Sequence, residues 1–307
     1  MKMKRMEKAW YGKDMGLAVR MVLTTGLLIL VYLAFLTILW RFVESFPLLV
    51  AIAAIFLFAQ YYFADKLVLW STGAKIVSRE ERPELHTIIE RLCNLANLPK
   101  PRVAVIDTPI PNAFATGRSQ KKAVVAVTTG LLSRLNNEEL EGVLGHELTH
   151  IKNRDVLVIT VASFLSTVAW FVMRFSFYSS LFRAGSRDRS AGAAVLIFIV
   201  SLLVWLVSFL LIRALSRYRE FAADRGSAII TGNPSALISA LLKISGQMKR
   251  VPSEDLREVE GMNAFFIIPA ISGDTLMSLF STHPPLEKRI ERLSALERAM
   301  EGFHEIY

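Results

Sequence analysis

The sequence predicts a mainly α integral membrane protein with a small β-sheet, built around two hydrophobic helical hairpins. Three observations lead there. The chain of 307 residues is 53% hydrophobic, and its mean hydropathy of +0.40 is too high for an ordinary soluble protein, which is only about half apolar with glycine counted. Residues 21–40, 46–64, 156–173 and 190–212 carry no charged side chain, and each run approaches the roughly 20 residues of helix needed to cross a hydrocarbon core. Between the second and third runs the composition becomes that of a soluble domain, with both helical and strand-like patterning.

The formal net charge of +9 and pI near 9.7 do not describe a nucleic-acid surface, because the basic residues cluster beside hydrophobic segments and form no groove with aromatics between them. Lys2, Lys4, Arg5, Lys8 and Lys13 precede the first run, and the positive-inside rule places that end in the cytoplasm. A cleaved signal peptide is rejected: the apolar run is too long, has no small-residue cleavage site and is followed at once by a second run. Cys93 is the single cysteine, so no intramolecular disulfide forms, which suits a cytoplasmic face.

Residues 41–45 are a short link, so the first two runs make an antiparallel hairpin with Trp40, Tyr61, Tyr62 and Trp70 near its interfaces. A helix over residues 83–98 follows, with Leu85, Ile88, Ile89, Leu92 and Leu95 at helical spacing. Residues 102–106 and 123–128 read as strands, and Asn112 to Gly117, bounded by proline and glycine, reads as a third, edge strand. Asn136 is placed as an N-cap with Glu139 at capping-box spacing. No breaker follows Asp155, so that helix is expected to run directly into the third apolar run.

The third and fourth runs form the second hairpin. Its loop holds Arg183, Arg187 and Arg189 against Asp188, and lies outside if the first span sets topology. Thr160, Ser163 and Thr167 suit helix packing, with a wet cavity as the alternative. The fourth helix continues past Arg213, Arg217 and Arg219, and another opens at Asn233-Pro234 and runs to about residue 249. Residues 249–261 read as a charged loop; 265–271 and 276–280 are apolar, either core or a substrate-facing surface. A final helix runs to about residue 300. The chain thus divides into residues 1–70, with a cytoplasmic segment and the first hairpin; 71–155, the first part of a domain outside the membrane; 156–212, the second hairpin; and 213–307, the second part of that domain.

His146-Glu147-Leu148-Thr149-His150 matches the zinc-protease pattern H-E-x-x-H. Positions four apart lie one helical turn above each other, so both imidazoles reach one ion, and Glu147 stands beside it free to take a proton from an acidified water. A catalytic zinc keeps three protein ligands and an open position. Glu220, one hydrophobic hairpin downstream, is the candidate third ligand. Asp224, four residues on, is placed to accept the free N–H of His146 or His150. The alternative is that Glu220 and Asp224 pair with Arg217, Arg219 or Arg225 at a membrane surface.

These motifs together, with Asn112-Ala113-Phe114-Ala115-Thr116-Gly117 and Thr282-His283-Pro284-Pro285, resemble the HtpX-type membrane metalloproteases over almost the whole chain. The resemblance implies a gluzincin-like metalloprotease domain carrying one Zn²⁺ on His146, His150 and Glu220, with Glu147 as general base and Asp224 as the acid behind the ligands. It implies that Asn112, Ala113, Phe114 and Ala115 bind substrate on the edge strand, and that His283, as a catalytic donor, and Arg289 lie near substrate and the developing oxyanion. The implied activity is endopeptidase cleavage of membrane or misfolded proteins in quality control or stress response, in a prokaryotic cell membrane with the site facing the cytoplasm. The implied partners are polypeptide substrates and the lipid bilayer, without nucleic acid. Prenyl-protein (CAAX) endopeptidases share the motifs but have more spans than this chain supplies. A membrane scaffold with a vestigial metal site is the non-catalytic alternative.

Overall fold

The computed structural model describes residues 14–42, 46–182, 189–248 and 283–304. The basic residues before the first run, the loop residues Arg183, Arg187 and Asp188, Thr282, and the segments 249–261, 265–271 and 276–280 lie outside the described residues. By contact the described residues form two compact units: one from the stretches Val19–Tyr62 and Leu157–Leu215, the other from the remainder.

The helices feeding the first of these units are α1 (Met15–Phe42), α2 (Phe46–Ser71), α6 (Asp155–Phe182) and α7 (Arg189–Thr231). Among the described residues three helices are long and apolar enough to cross a membrane, and a fourth if the pieces Val50–Phe63 and Asp65–Ser71, bent by 58°, count as one span. Within the unit, Leu28 and Tyr32 pack with Ala162 and Leu215, and Phe35 and Leu39 with Ala169. The buried Tyr32 hydroxyl donates to the Ala162 carbonyl at 2.6 Å, which satisfies a polar group that lipid could not. Thr167 is exposed and donates to the Ser163 carbonyl of its own helix at 3.1 Å.

The other unit holds β1 (Lys75–Ile76), α3 (Pro83–Ala96), β2 (Arg102–Ile106), β3 (Ala113–Thr116), β4 (Val124–Thr128), the short α4 (Thr129–Leu132), α5 (Asn137–Asn153), α8 (Pro234–Met248) and α9 (Leu286–His304). The sheet order is β1-β2-β4-β3, with β2 and β4 parallel and both edge strands antiparallel to their neighbours. β3 is therefore an edge, as the proline and glycine around it predict. Gly117, which ends it, has φ 121°, and a Cβ there would collide with the Lys122 backbone. Pleat alternation sends Ala113, Val125, Val127 and Val103 into the main core with Leu92, Leu144 and Leu148 of the helices. Phe114, Ala104, Val124 and Ala126 face the opposite side, against Val68 and Leu69.

Two expectations change. Leu95 is 59% exposed and Ala96 takes the core position instead, because the helical face runs from Leu92 to its fourth neighbour; α3 then stops at Asn97, in the left-handed region at φ 53°. The motif helix also does not continue into the apolar run. It ends at Arg154, whose φ of 56° and ψ of 41° turn the chain before α6 begins at Asp155.

Candidate metal centre

The sequence fixes the start of α5 locally. The Asn136 side chain accepts from the Glu139 amide at 2.9 Å, and the Glu139 carboxylate accepts from the Asn136 amide at 3.0 Å, a complete capping box. Glu139 is also held by Ser239 at 2.6 Å and Lys243 at 2.7 Å, which pins α5 to α8. Burial pushes its carboxyl up, but these partners outweigh burial and hold it below its ordinary value.

Farther along α5, small residues let neighbours approach. A Cβ on Gly142 would stand 3.0 Å from the Leu237 backbone, and one on Gly145 3.0 Å from the Ser227 hydroxyl. Ser227 donates to the Gly142 carbonyl at 2.6 Å. Gly226 lies against Thr149 in the motif itself. The stretch of α7 carrying Glu220 and Asp224 is thereby seated directly on the motif helix.

The result is convergence of the expected residues. The Nε2 atoms of His146 and His150 are 3.1 Å apart, and the Glu220 carboxylate lies 3.6 Å from the first and 3.4 Å from the second. One ligand atom from each of the three residues falls within 4.8 Å of the others. Behind them, Nδ1 of His146 is 2.9 Å from Asp224 Oδ1, and Nδ1 of His150 is 2.7 Å from Asp155 Oδ2.

This arrangement fits a cation. If each Nδ1–H points to its carboxylate, each Nε2 presents a lone pair, and two lone pairs facing each other beside a buried carboxylate repel unless a positive ion lies among them. Burial disfavours charge on both imidazoles, yet the carboxylates outweigh it: Asp224 and Glu220 raise the pKa of His146, and Glu220 raises that of His150. Proton and metal compete for the same nitrogens.

Glu147 is buried, and burial raises its carboxyl above the ordinary value despite the neighbouring histidines. The backbone of Ala115 on the edge strand acts to lower that carboxyl, by less than burial raises it. Asn112 is buried, with its amide donating to the Thr128 hydroxyl at 2.9 Å and its carbonyl accepting from the Thr128 amide at 3.0 Å. Ala113 is buried too, and Ala115 packs against the same core as the motif helix, whereas the Phe114 side chain points to the far face of the sheet.

The remaining expected residues gather around the carboxylates. His283 Nδ1 lies 3.1 Å from Glu220 Oε2. Arg289, only 1% exposed, grips Asp224 through Nε at 2.9 Å and Nη2 at 2.6 Å, and its Nη1 is 3.8 Å from Glu220. Arg289 therefore meets both carboxylates, Asp224 through the fork and Glu220 at ion-pair distance. Sequence reasoning passed over Asp155 and gave Arg219 only the role of a possible partner for Glu220 or Asp224. Arg219 pairs with Asp155 instead, and its Nη2 donates to the Asn153 carbonyl at 2.9 Å.

A family model described as Peptidase family M48 matches residues 79–297. Protease HtpX homolog 2 of Methanosarcina mazei is 57% identical over 295 residues, covering 96% of this chain and all of its relative. Protease HtpX homolog of Moorella thermoacetica is 59% identical, over 94% of this chain and 97% of its own length. Among solved structures, S. mikatae Ste24p shares the fold at a TM-score of 0.56 and 18% identity, covering 93% of this chain and 66% of that one. The chain belongs to peptidase family M48, among its HtpX-type proteases.

Proposed function

We propose that this protein is a zinc-dependent endopeptidase of a prokaryotic cell membrane that cleaves membrane or misfolded proteins in quality control or stress response. The observation that carries the reading is the meeting of His146, His150 and Glu220 beside the buried Glu147, with a carboxylate behind each imidazole. One Zn²⁺ per chain would be held by those three residues, and when bound it supplies a Lewis acid that acidifies water and polarises the scissile carbonyl.

The chain's own residues do the rest. Glu147, whose carboxyl is pushed up by burial, takes the proton from the attacking water and passes it to the leaving amine. Asp224, held in turn by the Arg289 fork, keeps the His146 ring oriented. His283 Nδ1 lies 3.1 Å from Glu220, which puts the ring beside the proposed ligands as the candidate donor to the developing oxyanion. An extended substrate adds to the side of β3 away from β4, where Ala113 and Ala115 sit in the non-hydrogen-bonded positions of the β3–β4 pair. The basic residues before α1 favour a cytoplasmic orientation for the site.

The test uses the full chain in detergent with an unstructured polypeptide and a membrane protein as substrates. Glu147→Gln is expected to keep its zinc and lose cleavage by about 10²–10⁴-fold. A variant that cleaves as well as the wild type would remove Glu147 as the base.

A further inference from the structure

We infer that Asp155 and Arg219 are positioning residues for the metal centre, a second carboxylate–arginine pair serving His150 as Asp224 and Arg289 serve His146. The inference rests on the proposed metal reading and adds two residues to it.

The geometry repeats itself around the two imidazoles. His146 Nδ1 meets Asp224 at 2.9 Å, and the Arg289 fork holds that carboxylate. His150 Nδ1 meets Asp155 Oδ2 at 2.7 Å, and the Arg219 guanidinium holds the other oxygen of that carboxylate. Both members of the second pair are buried, Asp155 at 6% and Arg219 at 6% exposure. A buried ion pair is a weak source of stability compared with apolar packing, so stability alone does not account for its presence at this spot.

The backbone is arranged to create the contact. In an uninterrupted helix, Asp155 would sit five residues past His150, off the face that His150 presents. Arg154 adopts the left-handed conformation at φ 56°, costly for a residue with a Cβ, and that turn brings the Asp155 carboxylate back to His150. Arg219 completes the link. It directly precedes Glu220 and donates to the Asn153 carbonyl at 2.9 Å, one of the last carbonyls of α5, where a cation is also favoured by the helix dipole. One guanidinium thus fixes the helix that supplies Glu220 to the end of the helix that supplies both histidines. The carboxylate it holds fixes the tautomer of His150, with Nδ1 as donor and Nε2 free for the ion.

The test measures zinc affinity by competition with a chromophoric chelator, and the visible spectrum of the Co²⁺-loaded form, in full-length Glu147→Gln protein so that turnover is not the readout. Asp155→Asn is expected to weaken zinc binding about 10- to 100-fold and to shift the Co²⁺ bands, and Asp155→Glu to recover part of the affinity. Because Asp155→Asn leaves Arg219 buried without its counter-ion, Asp155→Asn/Arg219→Gln is measured beside it, and is expected to unfold near the parent's temperature while keeping the weakened affinity. Parent-like zinc affinity in both variants overturns the inference and leaves the three-ligand reading intact. Loss of any folding transition in the double variant assigns the pair to the fold alone and also overturns it. A parent protein that binds no zinc overturns the inference together with the metal reading.

Discussion

His146 and His150 face each other through their Nε2 atoms at 3.1 Å, while the Nδ1 of each rests on a carboxylate from a different helix, Asp224 of α7 and Asp155 of α6. Three helices therefore set two ring orientations, and Glu220 closes the third side. Whatever shifts α7 against α5 disturbs the rings and the third carboxylate together.

Gly226 is where that disturbance is easiest to impose. A Cβ there would stand 2.9 Å from the Thr149 Cβ and nearer still to its γ atoms. Gly226→Ala gains about 1 kcal/mol of helix propensity, but overpacking costs about 1–3 kcal/mol. Net destabilisation and weaker zinc retention are expected from thermal unfolding and metal analysis. Adding Thr149→Ser should restore part of both; no relief would mean that the contact is not the cause.

Glu139 gives a pH dependence. Its carboxyl is raised by burial but held below its ordinary value by Lys243, Ser239 and the Asn136 amide. A carboxylate lowered in the folded state adds stability above its unfolded pKa and loses it as pH falls through the folded value. Wild-type stability should therefore fall below about pH 4.5 more steeply than that of Glu139→Gln. At neutral pH the variant is expected to be weaker by about 1 kcal/mol, since Lys243 is half exposed and water screens its share. Parallel denaturation curves at each pH would contradict this.

Cys93 reports on the core between α3 and the sheet. Burial pushes its thiol from 9.0 up to about 11, so at mildly alkaline pH the thiolate fraction falls roughly a hundredfold. Iodoacetamide labelling followed by mass spectrometry is expected to be at least about that much slower in the native protein than in denaturant. Equal rates would mean that this core opens readily.

Much of the centre was legible because its signals are local or periodic. The capping box at Asn136 and Glu139, the one-turn spacing of His146 and His150, and the spacing of Glu220 from Asp224 each depend on a few adjacent residues. The edge position of β3 was legible from Pro111 and Gly117 alone. Other features have no local signature. Arginine carries no preference for the left-handed region, so the turn at Arg154 was invisible and with it the approach of Asp155 to His150. The grip of Arg289 on Asp224 joins residues 65 apart and exists only once α9 is docked. β1 spans just Lys75–Ile76, too short for strand periodicity to mark.

Metal content tests the central claim most directly. Purified full-length protein, Glu147→Gln and Glu220→Ala are compared by elemental analysis under identical zinc exposure. About one zinc per chain is expected in the first two, and a sharp drop in Glu220→Ala, because catalytic zinc needs three protein ligands. Zinc in Glu220→Ala equal to the wild type would remove Glu220 from the ligand set, and wild-type protein without zinc would contradict the metal reading altogether.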